Sequence, residues 1–150
     1  MVIRLATVSE ISELSALALE SKRSWGYDDE FIELCRGELT VDVTDVEAAM
    51  VFVAEDEIDG VVGFYALGEL PRPELTMLFV SPEAIGHGIG RALLQDALAV
   101  ARSRGWASLL IESDPFAASF YEHVGAGLVG SSTSPSTGRT LPVYEIETRS

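Results

Sequence analysis

Apolar and polar positions alternate with two different periods along this chain. VIRLA (2–6) reads as a short first strand, after which Thr7 and Glu10 form a capping box, each side chain satisfying the other's backbone N–H. The helix opened there keeps Ile11, Leu14, Leu17 and Ala18 on one face. SWGYDDE (24–30) is a turn, and Asp28 or Asp29 caps a second helix carrying Phe31, Ile32, Cys35 and Leu39. MVFVAE (50–55) and VVGFYALGE (61–69) flank an Asp59-Gly60 turn, which is a hairpin signal. Pro71 and Pro73 end the hairpin, LTMLFV (75–80) is a further strand, and a helix from Arg91 to about Arg104 stops at Gly105. SLLIES (108–113) is a strand, Pro115 begins a short helix AASFYEHV that stops at Gly125, and GLVGSS and LPVYEIE are two last strands. The predicted order, β-α-α-β-β-β-α-β-α-β-β, describes an α/β fold with a mixed, mainly antiparallel sheet.

The length of 150 residues suits one domain with a sizeable core, and 47% hydrophobic residues argue against disorder. No apolar run approaches the ~18 residues of a membrane span, and Glu10 and Glu13 interrupt any signal-peptide pattern, so a cytoplasmic location is expected. One cysteine, Cys35, allows no internal disulfide, and with two histidines the chain is too poor in ligands for a metal site, so no metal is expected. The net charge of −14, with Lys22 the single lysine, repels phosphate backbones and disfavours nucleic acid. That acidity either draws cationic small molecules and basic peptides or only maintains solubility.

Between the 75–80 strand and the helix after it lies VSPEAIGHGIGRALL (80–94), with glycine at 86, 88 and 90. A strand, a glycine loop and a helix together form a general anion-binding arrangement, because free backbone N–H groups and the helix dipole converge there. Two familiar loops do not fit. A P-loop needs Lys and Ser or Thr where Arg91 and Ala92 stand, and the dinucleotide fingerprint needs glycine at Arg91. A literal GxGxxG at 125–130 precedes a Ser/Pro-rich loop rather than a helix, so it reads as a helix stop followed by a strand.

LFVSPEAIGHGIGRALL resembles the acyl-CoA pyrophosphate loop of the GCN5-related N-acetyltransferases, and DPFAASFYEHVGA (114–126) resembles the second half of that family's signature. The order of elements is also similar, so the resemblance spans the chain and implies the GNAT acyl-CoA N-acyltransferase fold as a single domain, 1–150, with helices on both faces of the sheet. It implies acetyl-CoA as acyl donor, with Leu78, Phe79 and Val80 pairing with the pantetheine arm through their backbone. Gly86, His87, Gly88, Ile89, Gly90 and Arg91 would cradle the pyrophosphate, and an N–H of the 78–80 strand, near a bulge, would hold the thioester oxyanion. Tyr121 stands where the family has the general acid that protonates the leaving thiolate. Two departures are visible. Ile85 replaces the usual Arg or Gln, and Asp114 replaces the Asn that contacts pantetheine, a carboxylate being able to accept but not donate a hydrogen bond.

An attacking amine must lose a proton to a carboxylate or a water held by one; the resemblance implies Glu74, at the start of the 75–80 strand where the family often has an acidic residue, with Glu69, Glu112 and Asp114 as competitors. By resemblance, SKRSWGYDDEF (21–31) and SPSTGRTLP (134–142) shape the acceptor pocket, and they mark a branch with SKxxWGY and GRxLP segments. Trp25 and Tyr27 would wall that pocket, and Arg139 would pair with an acceptor carboxylate. The expected activity is direct transfer of acetyl to a primary amine of a small molecule, amino acid or peptide. The alternative is an acyl-CoA-binding or sensing module without transfer. An acyl group other than acetyl, a hydroxyl acceptor and a homodimer remain open.

Overall fold

The computed structural model describes residues 1–149. Seven strands form one sheet, in the order β1-β2-β3-β4-β5-β7-β6. They are β1 (Val2–Leu5), β2 (Val51–Asp56), β3 (Gly60–Gly68), β4 (Glu74–Val80), β5 (Ser108–Glu112), β6 (Gly127–Thr133) and β7 (Thr140–Glu147). The helices are α1 (Ile11–Arg23), α2 (Asp29–Cys35), α3 (Val43–Glu47), α4 (Ile89–Ser103) and α5 (Ala118–His123). All neighbouring strands are antiparallel except β4 and β5, which are parallel.

The central strand β3 is buried without a break from Val62 to Leu67, as expected where helices cover both faces of a sheet. From Phe64 to Leu67 its side chains divide by parity, while Val62, at a register shift against β2, joins the face of Tyr65 and Leu67. Phe64 and Ala66 join Leu14, Leu17, Ala18, Cys35 and Val46 on the face covered by α1–α3. Tyr65 and Leu67 join Leu93, Leu94, Ala97, Trp106 and Tyr121 on the face covered by α4 and α5. The Tyr65 hydroxyl reaches out of that second layer to donate to Asp96 Oδ2 of α4 at 2.7 Å.

Local differences from the sequence pattern have physical reasons. The Thr7–Glu10 box caps a single 3-10 turn, Val8–Glu10, and α1 follows that turn. α2 ends at Cys35, and Leu39 enters the core from the turn beyond it. α3 was not expected. Its β-branched residues hide the helical period, but Asp42 caps it by accepting from the Thr44 N–H at 2.7 Å. α5 starts three residues later than Pro115, because Asp114 and Pro115 are spent in the turn that leads into it.

Two features open the sheet where the glycine loop begins. β4 and β5 pair only at Glu74 and Leu110, where the Leu110 N–H also donates to the Pro73 carbonyl at 3.0 Å. Ala66 pairs with Met77 and Leu67 with Leu75, so Thr76 is an extra, bulged residue in β4. The bulge therefore lies just before the 78–80 segment, which the resemblance places near one.

Gly63 of β3 fixes how closely β4 and α4 approach. A Cβ there would stand 2.9 Å from the Phe79 carbonyl oxygen and 3.0 Å from a Leu93 methyl carbon. Gly63→Ala is expected to destabilise the fold by about 1–3 kcal/mol through overpacking, read as a lower urea midpoint. An unchanged midpoint would show that the layer has slack.

Candidate active site

The loop after β4 runs through a 3-10 turn (Pro82–Ala84) and Ile85 into two glycines with left-handed backbone, Gly86 at φ +91° and Gly88 at φ +78°. A Cβ at either would meet no atom within 4 Å, so protein packing does not demand glycine there. The backbone conformation does, since side-chain-bearing residues rarely adopt it. Gly88 is the N-cap of α4, whose first N–H groups have no partner inside the helix and carry its positive dipole end. This corner borders a groove of about 690 Å³ lined by Trp25, Leu78, Val80, Ile85, Gly86, Gly88, Ile89, Gly90, Arg91, Phe116, Phe120 and Tyr121. Ile85, 52% exposed, presents an apolar side chain to it. His87 lies outside the groove, beside a separate hollow that includes Asp56, Asp59 and Glu83.

Where β4 and β5 part, a second cavity of about 390 Å³ adjoins the groove, and Trp25, Leu78, Ala117 and Tyr121 line both. Tyr121 is 6% exposed, its ring edge-on to Phe120 at 5.2 Å between centroids. Burial pushes its phenol well above the ordinary tyrosine range, so it stays protonated and can only give a proton up under demand. The second cavity is also bordered by Lys22, Glu38, Glu74, Thr76, Phe79, Glu112, Asp114 and Arg139. Burial raises the Glu74 carboxyl above its ordinary value, with repulsion from Glu112 adding to it. Glu112 in turn accepts from the Ser132 hydroxyl at 2.7 Å. Of the other carboxylates considered from sequence, Asp114 borders the cavity and Glu69 does not.

Asp114 is the centre of a buried polar cluster. Its carboxylate, 7% exposed, accepts from Arg139 Nη2 at 3.1 Å and from Tyr27 Oη, and lies 3.3 Å from Lys22 Nζ. It also accepts from the Phe116 N–H at 2.8 Å, closing the turn before α5. Arg139 Nη1 donates to Tyr27 Oη at 2.6 Å, and its guanidinium stacks over Phe31 at 4.5 Å. Burial works against charge on Arg139, but the bonds to Tyr27 and Asp114 outweigh it and the guanidinium pKa is raised. Burial likewise raises the Tyr27 phenol, which stays neutral.

These contacts revise the placement of Asp114 and Tyr27 expected from sequence. Asp114 borders the second cavity rather than the groove, because two cations hold its carboxylate on that side. Tyr27 lies behind the cavity wall, stacked on Phe31 at 4.2 Å and bonded to Asp114, while Trp25 is the aromatic that lines the space. Phe79 borders the second cavity and packs on Trp25 at 6.3 Å. Sequence reasoning passed over Lys22. Its one signal was being the sole lysine of an acidic chain, inside the same segment as Trp25 and Tyr27.

A family model described as Acetyltransferase (GNAT) domain matches residues 47–125. The peptidyl-lysine N-acetyltransferase YjaB of Salmonella typhimurium is 32% identical over 113 residues, 74% of this chain and 74% of that protein. A solved GCN5-related N-acetyltransferase from Rhodopseudomonas palustris is similar at TM-score 0.78 and 18% identity, covering 97% of this chain and 94% of that one. The PaiA N-acetyltransferase of Thermoplasma acidophilum, solved in complex with coenzyme A, is similar at TM-score 0.76 and 21% identity, covering 97% and 98%. At these identities the structural matches speak to the fold.

Two stability measurements probe the second cavity. Asp114→Asn leaves Lys22 and Arg139 without their counter-charge and should cost about 3 kcal/mol, the low end for breaking a buried pair because Arg139 is 28% exposed. A loss below about 0.5 kcal/mol would mean that solvent already screens the cluster. For Glu74, the raised pKa means that the folded chain binds the proton more tightly than the unfolded chain. Its contribution is therefore most favourable at acid pH and is lost as pH rises through the folded value. Glu74→Gln should raise Tm at mildly alkaline pH, with the gain vanishing below about pH 4, the ordinary carboxylate range. A gain independent of pH would contradict this.

Proposed function

Because the chain belongs to the GNAT acetyltransferase family, we propose that it transfers an acetyl group from acetyl-CoA to a primary amine by direct attack. The observation that carries this reading is the meeting of the groove and the second cavity at Tyr121. The groove suits the donor. Its left-handed glycines leave the loop's outer side free of Cβ atoms, and the unpaired amides at the start of α4 offer donors to a pyrophosphate. Ile85, where a polar residue could have stood, leaves that role to the backbone. The amine is assigned to the second cavity, whose lining includes Glu74 and Glu112; an amine as acceptor is supported by the name of the curated relative, a peptidyl-lysine N-acetyltransferase.

Acetyl-CoA supplies an acyl group activated as a thioester. The chain's part is to hold it, receive the amine and manage two protons. β4 beyond its Thr76 bulge has parted from β5, so its free backbone groups can pair with the extended arm of the donor and place an N–H at the thioester carbonyl. Tyr121 donates its phenolic proton to the departing sulfur. Its high pKa suits a group that must remain protonated until negative charge develops next to it. Glu74 takes the proton from the incoming ammonium, directly or through water. Its raised pKa makes it a better proton acceptor than an ordinary surface carboxylate.

Release of CoA from acetyl-CoA in the presence of a panel of amines tests the reading. Tyr121→Phe should lower kcat by about 10²-fold or more. Gly88→Val should weaken CoA binding by about tenfold or more, since a β-branched residue disfavours φ +78° and its side chain would intrude on the donor's side. CoA binding without any amine-stimulated release, together with an inert Tyr121→Phe, would leave a binding module in place of an enzyme.

A further inference from the structure

Two cations and one carboxylate meet at the wall of the second cavity. Lys22 is 10% exposed and lies 3.3 Å from Asp114, which also pairs with Arg139 at 3.1 Å. Buried charges are ordinarily matched, because an uncompensated one keeps its desolvation cost. Counted over the groups in ion-pair contact among the described residues, this cluster has two cations to one carboxylate. Tyr27 adds no second negative charge, being a neutral phenol that donates to Asp114 and accepts from Arg139. Glu38 borders the same cavity, but its carboxylate is held by the Ser134 and Ser136 hydroxyls, and among the described residues it makes no ion pair with either cation. Arg139 Nε is the one buried side-chain polar atom without a hydrogen-bond partner among the described residues.

Resting on the transfer reading above, we propose that the acceptor is an amine bearing a carboxylate, an amino acid or a peptide presenting its C-terminus, whose carboxylate binds Lys22 and Arg139. A monoanion matches the single uncompensated charge, whereas a phosphate dianion would overshoot it. The opposite charge is also provided, since Glu74 and Glu112 border the same cavity and suit an ammonium. The contrast with the rest of the molecule sharpens the inference. A chain of net charge −14 draws cations over its surface in general, yet it places its only lysine in the cavity wall. An internal peptidyl-lysine brings a cation and no carboxylate, and would leave the Lys22–Arg139 pair unmatched.

The test compares amino acids, their carboxamides and a lysine peptide capped at both ends, with acetyl-CoA as donor and CoA release as readout. At least one free acid should exceed its carboxamide by about tenfold or more in kcat/KM, the difference residing mainly in KM. Lys22→Met and, independently, Arg139→Gln should each collapse that ratio toward unity. A carboxamide or capped peptide that matches the acid, in the parent and in Lys22→Met alike, would overturn the proposal while leaving the transferase reading intact. A second arm needs no turnover. N-acetylglycine, titrated with CoA present into a Trp106→Phe background, should change Trp25 fluorescence saturably, and Lys22→Met should weaken it at least fivefold. Such binding with no amine turned over would refute the transfer reading and uphold the anion site. No saturable binding would overturn the anion site.

Discussion

A parallel strand pair that stays in register leaves no space between its strands, because the hydrogen-bond ladder holds them about 4.8 Å apart. β4 and β5 keep that register only at Glu74 and Leu110. Beyond that point each strand end is freed, and the chain must cover or use the exposed backbone and the gap. The groove, the second cavity and Tyr121 between them all lie in this opening. The bulge at Thr76 increases local twist where the strands diverge, and Gly63 lets α4 lie close enough to β3 and β4 for its N-terminus to close one end of the groove.

The opening would be a liability without something to hold its far side. That side is built from three segments distant in sequence: the turn after α1, the turn before α5 and the loop between β6 and β7. Asp114 ties them together, taking Tyr27 from the first, with Lys22 from the last turn of α1 just before it, and Arg139 from the third while its own turn shapes the second. One carboxylate thus fixes the far wall of the second cavity. This gives a physical reason for Asp at a position where the resembling family has Asn. An amide would leave both cations without any counter-charge.

How much of this could be read in advance depends on the range of the interactions. The strands, the Asp59-Gly60 hairpin and the glycine loop were legible because alternation, turn chemistry and left-handed glycine are local. Tyr121 was legible through its motif. α3 was not, because a β-branched run masks its period, and the later start of α5 depends on how Asp114 bonds to its own turn. The Lys22–Asp114–Arg139 cluster was least legible. Its partners lie far apart along the chain, and lysine is so seldom buried that sequence alone assigns it to the surface. Glu74 was singled out among many acidic residues, and the structure gives it burial and a like-charged neighbour.

Donor and acceptor are proposed to meet at Tyr121, across the gap between β4 and β5. A crystal structure with CoA bound tests this most directly. The pantetheine arm is expected alongside Leu78–Val80, the pyrophosphate at Gly86–Arg91, and the sulfur within roughly 3.5 Å of Tyr121 Oη, the separation of groups poised to react. CoA seated elsewhere, or a sulfur directed away from Tyr121 and the second cavity, would contradict it.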